Sequence, residues 1–166
     1  MNHYSSYETL PVRLRMKREL VNRLSEFRFD YFVTLATNHS TLSQQAMRDR
    51  LKIWDARMNR FLVGPKWNNR PDERLVWFAF LEKAAVNPHW HLLVELDPAP
   101  PSATAQDRQK RFEIEAKLNW EGLVKSGDVD VKTVADQRVI EYCSKELWRD
   151  DAYMAFVCSR EFQNNK

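Results

Sequence analysis

The segment RLVWFAFLEKAAVNPHWHLLVEL (residues 74–96) decides the fold class of this chain. Its two ends are rich in aromatic and branched apolar residues and are separated by a short connection. Residues 74–82 and 89–96 are therefore predicted to form an antiparallel β-hairpin. Side chains alternate between the two faces of a strand. One face of the second strand is wholly apolar and is predicted to lie under helices: Trp90, Leu92, Val94 and Leu96. The opposite face carries His89, His91, Leu93 and Glu95.

Strand and helix patterns alternate on both sides of this hairpin. Residues 29–37 are predicted to form the first strand, followed by a helix capped by Ser40 or Thr41. That helix has an apolar stripe of Met47, Leu51, Trp54, Met58 and Phe61. After the hairpin we expect a helix over residues 105–125, a strand over 129–134, a helix over 136–149 and a strand over 152–159. This order predicts an α+β fold of the split βαβ type, with a five-stranded antiparallel sheet. The helices are expected mainly on one face, with the other face open to a ligand.

A strongly basic helix is predicted ahead of this core, over residues 11–27, where Pro11 suits a first helical turn. Its cations are Arg13, Arg15, Lys17, Arg18 and Arg23. Such a face is either solvated or in contact with nucleic acid. We therefore divide the chain into a basic helical extension over residues 1–28 and a domain over residues 29–166.

The composition is that of one packed domain. The chain has 166 residues, 43% of them hydrophobic, which is enough for a single core. Its three glycines exclude a Gly-rich phosphate loop of the NTPase type. Cys143 and Cys158 lack zinc-like spacing and are predicted to be reduced thiols. The net charge of +3 indicates no partner by itself. Because no apolar leader or long apolar run is present, we expect a soluble cytoplasmic protein.

His89 and His91 are neighbours on the same side of their strand and can bind one ion. If Glu82 lies opposite either histidine across the hairpin, its carboxylate falls on the same face. The three side chains then form a metal site of two histidines and one carboxylate, with coordination positions left for water or substrate. These ligands suit zinc as well as Mn²⁺ or Mg²⁺. Alternatively, both histidines are polar residues on a solvated sheet face.

The helix predicted over residues 136–149 carries a tyrosine among cations. Arg138, Tyr142, Lys145 and Arg149 recur with helical spacing and form one stripe. Nearby positive charge favours the phenolate form of tyrosine and attracts phosphate, so Tyr142 suits nucleophilic attack on a phosphodiester. The alternative is a surface tyrosine that packs over lysine and arginine stems.

Three segments together resemble the HUH endonuclease family, and in particular its rolling-circle replication initiators, the Rep proteins. FVTLATN (residues 32–38) resembles the first Rep motif, PHWHLLV (88–94) resembles the metal-binding second motif, and YCSKE (142–146) resembles the third. Tyr142 follows the histidine pair, as in Reps and in single-tyrosine transposases, and Lys145 at the third position after it favours Rep. The chain departs from the family in two ways. It has no room for the helicase module of many viral Reps, and its basic extension is not required by the family core.

The resemblance implies an enzyme that nicks and rejoins single-stranded or hairpin DNA at a replication origin and initiates rolling-circle replication of a plasmid or virus. Glu82, His89 and His91 would bind Mn²⁺ or Mg²⁺, and Tyr142 would form a 5′-phosphotyrosine intermediate. Lys145 would hold the phosphate, order the site or assist proton transfer. Candidate DNA contacts are Thr34, Asn38, Arg138 and Arg149, the two arginines being equally suited to surface salt bridges. A separate helicase and a host polymerase are expected partners. The expected location is a bacterial cytoplasm or, for a eukaryotic virus, the nucleus.

Other functions fit parts of the same pattern. A single-tyrosine HUH transposase or mobile-element nickase would use the same chemistry in a different biological process. A non-catalytic origin-binding protein keeps the fold without nicking. A zinc hydrolase unrelated to DNA would use the same metal ligands, and Tyr142 would have no catalytic role.

Overall fold

A computed structural model describes residues 11–38, 41–82, 86–96, 105–145, 147 and 155–163. The helices are α1 (Val12–Leu24), α2 (Gln44–Leu62), α3 (Ala105–Glu121) and α4 (Arg138–Cys143). The strands are β1 (Tyr31–Ala36), β2 (Val76–Glu82), β3 (His89–Glu95), β4 (Asp128–Thr133) and β5 (Phe156–Cys158). Short 3₁₀ helices span Trp67–Asn69, Pro71–Glu73 and Ser159–Phe162. After α1, the strands and helices follow one another in the predicted order.

The five strands form one antiparallel sheet in the order β4-β1-β3-β2-β5. Because β3 pairs antiparallel with both β1 and β2, the latter two run in the same direction on either side of it. This is a split βαβ arrangement, with α2 as the crossover. The α+β fold and the five-stranded antiparallel sheet are thus confirmed. The hairpin strands β2 and β3 are central and buried, as their apolar composition predicts.

The two longest helices, α2 and α3, cover one face of the sheet. The predicted apolar face of β3 lies there, packed in a single cluster with the inward side chains of both helices: Met47, Leu51, Trp54, Met58, Phe112, Ala116 and Trp120. Phe61, the fifth member of the predicted α2 stripe, is only half-buried, and the Arg111 guanidinium lies 5.5 Å from its ring centroid. The stripe therefore leaves the core before α2 ends.

The other face of the sheet is not open as predicted, because α1 and α4 cover part of it. Leu24 of α1 and Ile140 and Cys143 of α4 are buried in a second cluster with Phe80 and Leu93. The apolar side of the basic helix thus packs on the sheet through Leu24 and Leu20. The end at which β2 terminates and β3 begins lies on this face, and Glu82 and His89 are partly exposed there.

Other differences from prediction concern the ends of elements. Ser43, not Ser40 or Thr41, caps α2, since its hydroxyl accepts a hydrogen bond from the Ala46 amide at 3.2 Å. Most strands and helices begin or end one to four residues inside their predicted bounds. The predicted fourth helix is wrong beyond Cys143, because Ser144, Lys145 and Leu147 lie in turns; its predicted last residues, 148–149, lie outside the described residues. So do the connection at residues 83–85 and the start of the predicted fifth strand at 152–154.

A buried carboxyl links α2 to β2. Asp55 Oδ1 accepts hydrogen bonds from Trp77 Nε1 at 2.7 Å and from Asn59 Nδ2 at 3.0 Å. Burial raises the pKa of Asp55 to about 6, against the lowering effect of these two bonds and of Arg74. The group sits on the face opposite the histidines and is structural.

Among the described residues, no helix has the length and apolar character that crossing a membrane requires.

Candidate metal centre and tyrosine site

The hairpin brings Glu82, His89 and His91 together. Glu82 ends β2 and pairs directly with His89, the first residue of β3, while His91 follows two positions later on the same face. Directly opposed residues of an antiparallel pair share a face, so the register of β2 against β3 is enough to bring the three side chains together. The predicted position of Glu82 opposite a histidine is confirmed.

The three side chains point their ligand atoms at one another. Glu82 Oε2 lies 3.4 Å from His89 Nε2 and 3.3 Å from His91 Nε2. One nitrogen or oxygen atom from each residue lies within 4.8 Å of the other two, and the side chains are only 11%, 14% and 8% exposed for Glu82, His89 and His91. The group could therefore hold one divalent metal ion.

Hydrogen bonds on the far side of each imidazole fit metal binding. His89 Nδ1 lies 3.2 Å from the Asn87 carbonyl oxygen. Because a carbonyl only accepts, this contact places a proton on Nδ1, and in the neutral imidazole that tautomer leaves Nε2 as the atom that can bind a metal ion. His91 Nδ1 lies 3.1 Å from the Thr34 hydroxyl, which can accept in the same way. Such contacts fix the tautomer and ring orientation of metal-binding histidines.

Backbone geometry explains the Asn87 contact. Asn87 has a φ of 54°, in the left-handed region that asparagine tolerates better than most residues. The buried Thr37 hydroxyl donates a hydrogen bond to the next carbonyl, that of Pro88, at 2.8 Å. The end of β1 thereby anchors the loop that orients His89.

Lys145 joins the metal group to the tyrosine helix. Its Nζ lies 2.8 Å from Glu82 Oε1 and 4.1 Å from the centroid of the Tyr142 ring. Glu82 Oε1 is buried, and the Lys145 ammonium is the charge that faces it. The contact with Glu82 raises the pKa of Lys145 and outweighs the lowering effect of burial. Lys145 is therefore a fixed cation, which suits charge stabilisation rather than base catalysis.

The Tyr142 ring stands beside the histidines. Its centroid is 5.9 Å from that of His91 and 6.0 Å from that of Phe32, both in edge-on arrangements. Phe32 also stacks on His91 at 5.2 Å, so it supports both rings. The tyrosine nevertheless remains 49% exposed. The phenol is therefore packed in place and accessible to a large substrate.

Opposing effects set the charge of the ligands. Burial alone would raise the pKa of Glu82, but Lys145 and the two imidazoles outweigh it and hold that pKa below its ordinary value. Burial lowers the pKa of His91, and the Glu82 carboxylate offsets this only in part. A charged carboxylate and a neutral imidazole are the forms that bind a metal ion.

The four predicted DNA contacts have different outcomes. Thr34 bonds His91, as described above. Asn38 follows β1 at the end of the sheet that holds His89, since Ala36 pairs with His89, and its φ is 44°. Arg138 forms an exposed ion pair with Asp136 at 2.6 Å, the alternative that the sequence left open. Arg149 lies outside the described residues. DNA contact stays a prediction for each of them.

Sequence reasoning missed the supporting roles of Phe32, Thr37 and Asn87. Phe32 and Thr37 both lie in the first motif-like segment, but nothing in the sequence connects them with the histidines. The connection comes from the pairing of β1 with β3, in which Thr34 lies opposite His91 and Ala36 opposite His89.

Comparisons of the chain with protein-family models, with curated proteins and with solved structures found no match.

Proposed function

We propose that the protein is a metal-dependent endonuclease of the HUH type that nicks and rejoins single-stranded DNA through Tyr142. The observation that carries the proposal is the position of Tyr142 beside the candidate metal group. Its ring is 5.9 Å from that of His91, and Lys145 lies between the phenol ring and Glu82. The two alternatives, a solvated histidine pair and a surface tyrosine without a catalytic role, do not require Tyr142, Lys145 and the histidines to lie together.

Each residue then has a defined role. Glu82, His89 and His91 would hold Mn²⁺ or Mg²⁺, which supplies charge neutralisation at the scissile phosphate when bound. The Tyr142 oxygen attacks phosphorus in line, the P–O3′ bond breaks, and the phenolic proton is lost to solvent. The 3′ oxygen takes up a proton and leaves as a free hydroxyl, while the 5′ phosphate stays on Tyr142. Lys145 stabilises the negative charge that develops on phenol and phosphate.

Reversal of the same step rejoins strands, because one phosphoester replaces another. A free 3′ hydroxyl beside a covalently held 5′ end is the starting point for strand displacement by a polymerase. The biological setting that we propose is initiation of rolling-circle replication of a plasmid or virus, with helicase and polymerase supplied separately. The resemblance of the three motif-like segments to Rep proteins supports this setting over transposition.

The test uses a library of random single-stranded oligonucleotides labelled at the 3′ end and incubated with protein and Mn²⁺. A 5′-phosphotyrosine adduct transfers the label to the mass of the protein on a denaturing gel. The same library labelled at the 5′ end should release fragments that a polymerase can extend. We expect adduct from the wild-type protein, none with EDTA and none from Tyr142→Phe.

Tyr153→Phe is the matched control, since it makes the same chemical change at another tyrosine of the chain. Lack of any adduct across the library, with DNA binding retained, would identify a non-catalytic DNA-binding protein. An adduct that persists in Tyr142→Phe would assign the nucleophile to another residue. A purified protein that carries stoichiometric zinc and forms no adduct would favour a hydrolase.

A further inference from the structure

Positive charge is concentrated on the segment that includes α1. Between residues 12 and 28, six lysines and arginines outnumber two glutamates, for a net charge of +4. The whole chain carries +3, so all other residues together sum to −1. The weakly basic character of the protein therefore comes from one helix and the turn that follows it. Charge localised in this way attracts a polyanion, whereas a small net charge spread over the surface does not.

The fold places this helix beside the proposed nucleophile. α1 packs against α4, the helix that carries Tyr142, on the histidine face of the sheet. A strand with one phosphodiester at Tyr142 must lay its flanking nucleotides on neighbouring surfaces. α1 is the adjacent basic surface.

The inner stripe of α1 changes from apolar to cationic along its length. Leu24 and Leu20 pack in the second cluster. The next two positions of the same stripe, with helical spacing, are Lys17 and Arg13. Lys17 is half-buried and Arg13 is exposed. By helical spacing, both cations continue the stripe of α1 whose apolar residues pack on the domain.

We infer that α1 and α4 together form a docking surface for the sugar-phosphate backbone of the single-stranded DNA that reaches Tyr142. The surface would act without sequence preference, through Lys17 and Arg13 in particular. The inference rests on the function proposed above, because that function supplies the strand. The exposed Val12, Leu14 and Met16 make an anionic membrane surface the competing occupant.

The binding test is made without cleavage. Tyr142→Phe protein in EDTA is titrated with a fluorescent oligothymidylate at several salt concentrations, and the logarithm of the affinity is plotted against that of the salt. Each phosphate contact on a single strand contributes about 0.7 to the slope. The double substitution Arg13→Ala and Lys17→Ala, which preserves helix propensity, should reduce the slope by about 1.4.

The matched control removes two exposed cations from the opposite face of the sheet, Lys52→Ala and Arg60→Ala on α2. It changes the net charge equally and should leave the slope unchanged. Equal losses in both variants would overturn the inference, as would an unchanged slope in the α1 variant. Binding to phosphatidylserine vesicles without binding to oligothymidylate would also overturn it.

Nicking separates this inference from the proposed function. For this test the α1 substitutions are made in protein that retains Tyr142. This variant should need more DNA for half-maximal adduct formation. Its rate at saturating DNA should equal that of the wild type, because neither substitution touches the metal group. An unchanged half-saturation point would refute the docking surface while nicking stands. If the salt dependence of DNA binding is reduced in the α1 variant alone, and the wild-type protein never forms adduct, the docking surface is supported and the proposed nicking activity is refuted.

Discussion

Replacing Thr34 with valine removes one hydroxyl and keeps the shape of the side chain, so it isolates the contact with His91. The Thr34 oxygen lies 3.1 Å from His91 Nδ1, in a partly buried position. A hydrogen bond of this kind contributes about 0.5–1.5 kcal/mol, or roughly 2- to 13-fold in an equilibrium constant. Loss of the partner of a metal-bound histidine typically costs about 10- to 100-fold in metal affinity. The two ranges meet near tenfold, so we expect Thr34→Val to bind Mn²⁺ about tenfold more weakly.

Calorimetric titration of Mn²⁺ into the purified protein measures this directly and does not depend on nicking. Thr34→Ser is the matched control, because serine keeps the hydroxyl and should bind Mn²⁺ like the wild-type protein. Affinity for oligothymidylate in EDTA is measured on the same three proteins, because loss of the His91 contact alone leaves it unchanged whereas loss of a DNA contact lowers it.

Two results would contradict the orientation of His91 by Thr34. If valine and serine variants both bind Mn²⁺ like wild type, the hydroxyl does not orient the imidazole. If Mn²⁺ affinity is unchanged and metal-free DNA binding falls in the valine variant alone, Thr34 contacts DNA, as the sequence suggested.

Two further predictions concern pH. Burial holds the pKa of His91 below its ordinary 6.5, so Mn²⁺ affinity should fall only at a pH below that at which an ordinary imidazole titrates, by up to about tenfold per unit as protons compete for Nε2. Calorimetry at a series of pH values would contradict the assignment if the decline began above pH 7. Asp55 has a folded pKa of about 6 against 3.8, so its contribution to stability is complete below pH 3.8 and is lost as pH rises through 6, a change of about 3 kcal/mol. Asp55→Asn keeps an oxygen for Trp77 and Asn59 and should unfold at higher denaturant concentration than wild type at pH 8. An equal or lower midpoint would show that the carboxylate is not destabilising.

The central part of the fold could be predicted from the sequence because its signals are local. Alternation in β3 placed Trp90, Leu92 and Val94 under helices, and helical spacing placed Met47, Leu51 and Trp54 in the core. A hairpin with a short connection has few registers, and one of these puts Glu82 opposite His89. These residues also supply the candidate metal group, so the group was predictable for the same reason.

What the sequence could not supply depends on contacts between distant segments. Thr34 reaches His91 only through the pairing of β1 with β3, and Lys145 reaches Glu82 only because α4 packs on the histidine face. Ser40, Thr41 and Ser43 are all competent caps by residue type, so the local sequence does not single out Ser43, which caps α2 in the structure. The second face was expected to be open because the helices were expected mainly on the other one. Leu24 of α1 is instead completely buried there.

The spacing of Tyr142 and Lys145 has a physical explanation in the two oxygens of Glu82. Oε2 faces the imidazoles, and Oε1 contacts Lys145, so one carboxylate can serve the metal group and the cation at the same time. α4 has six residues, too few to be stable alone, and is held by Ile140, Cys143 and this ion pair. Lys145 lies in the turn just after α4, where its amide donates a hydrogen bond to the Tyr142 carbonyl at 3.3 Å, so the two residues stay adjacent. Tyr142 can therefore stand against His91 while Lys145 reaches Glu82, and the ion pair that stabilises the buried carboxylate also positions the proposed nucleophile.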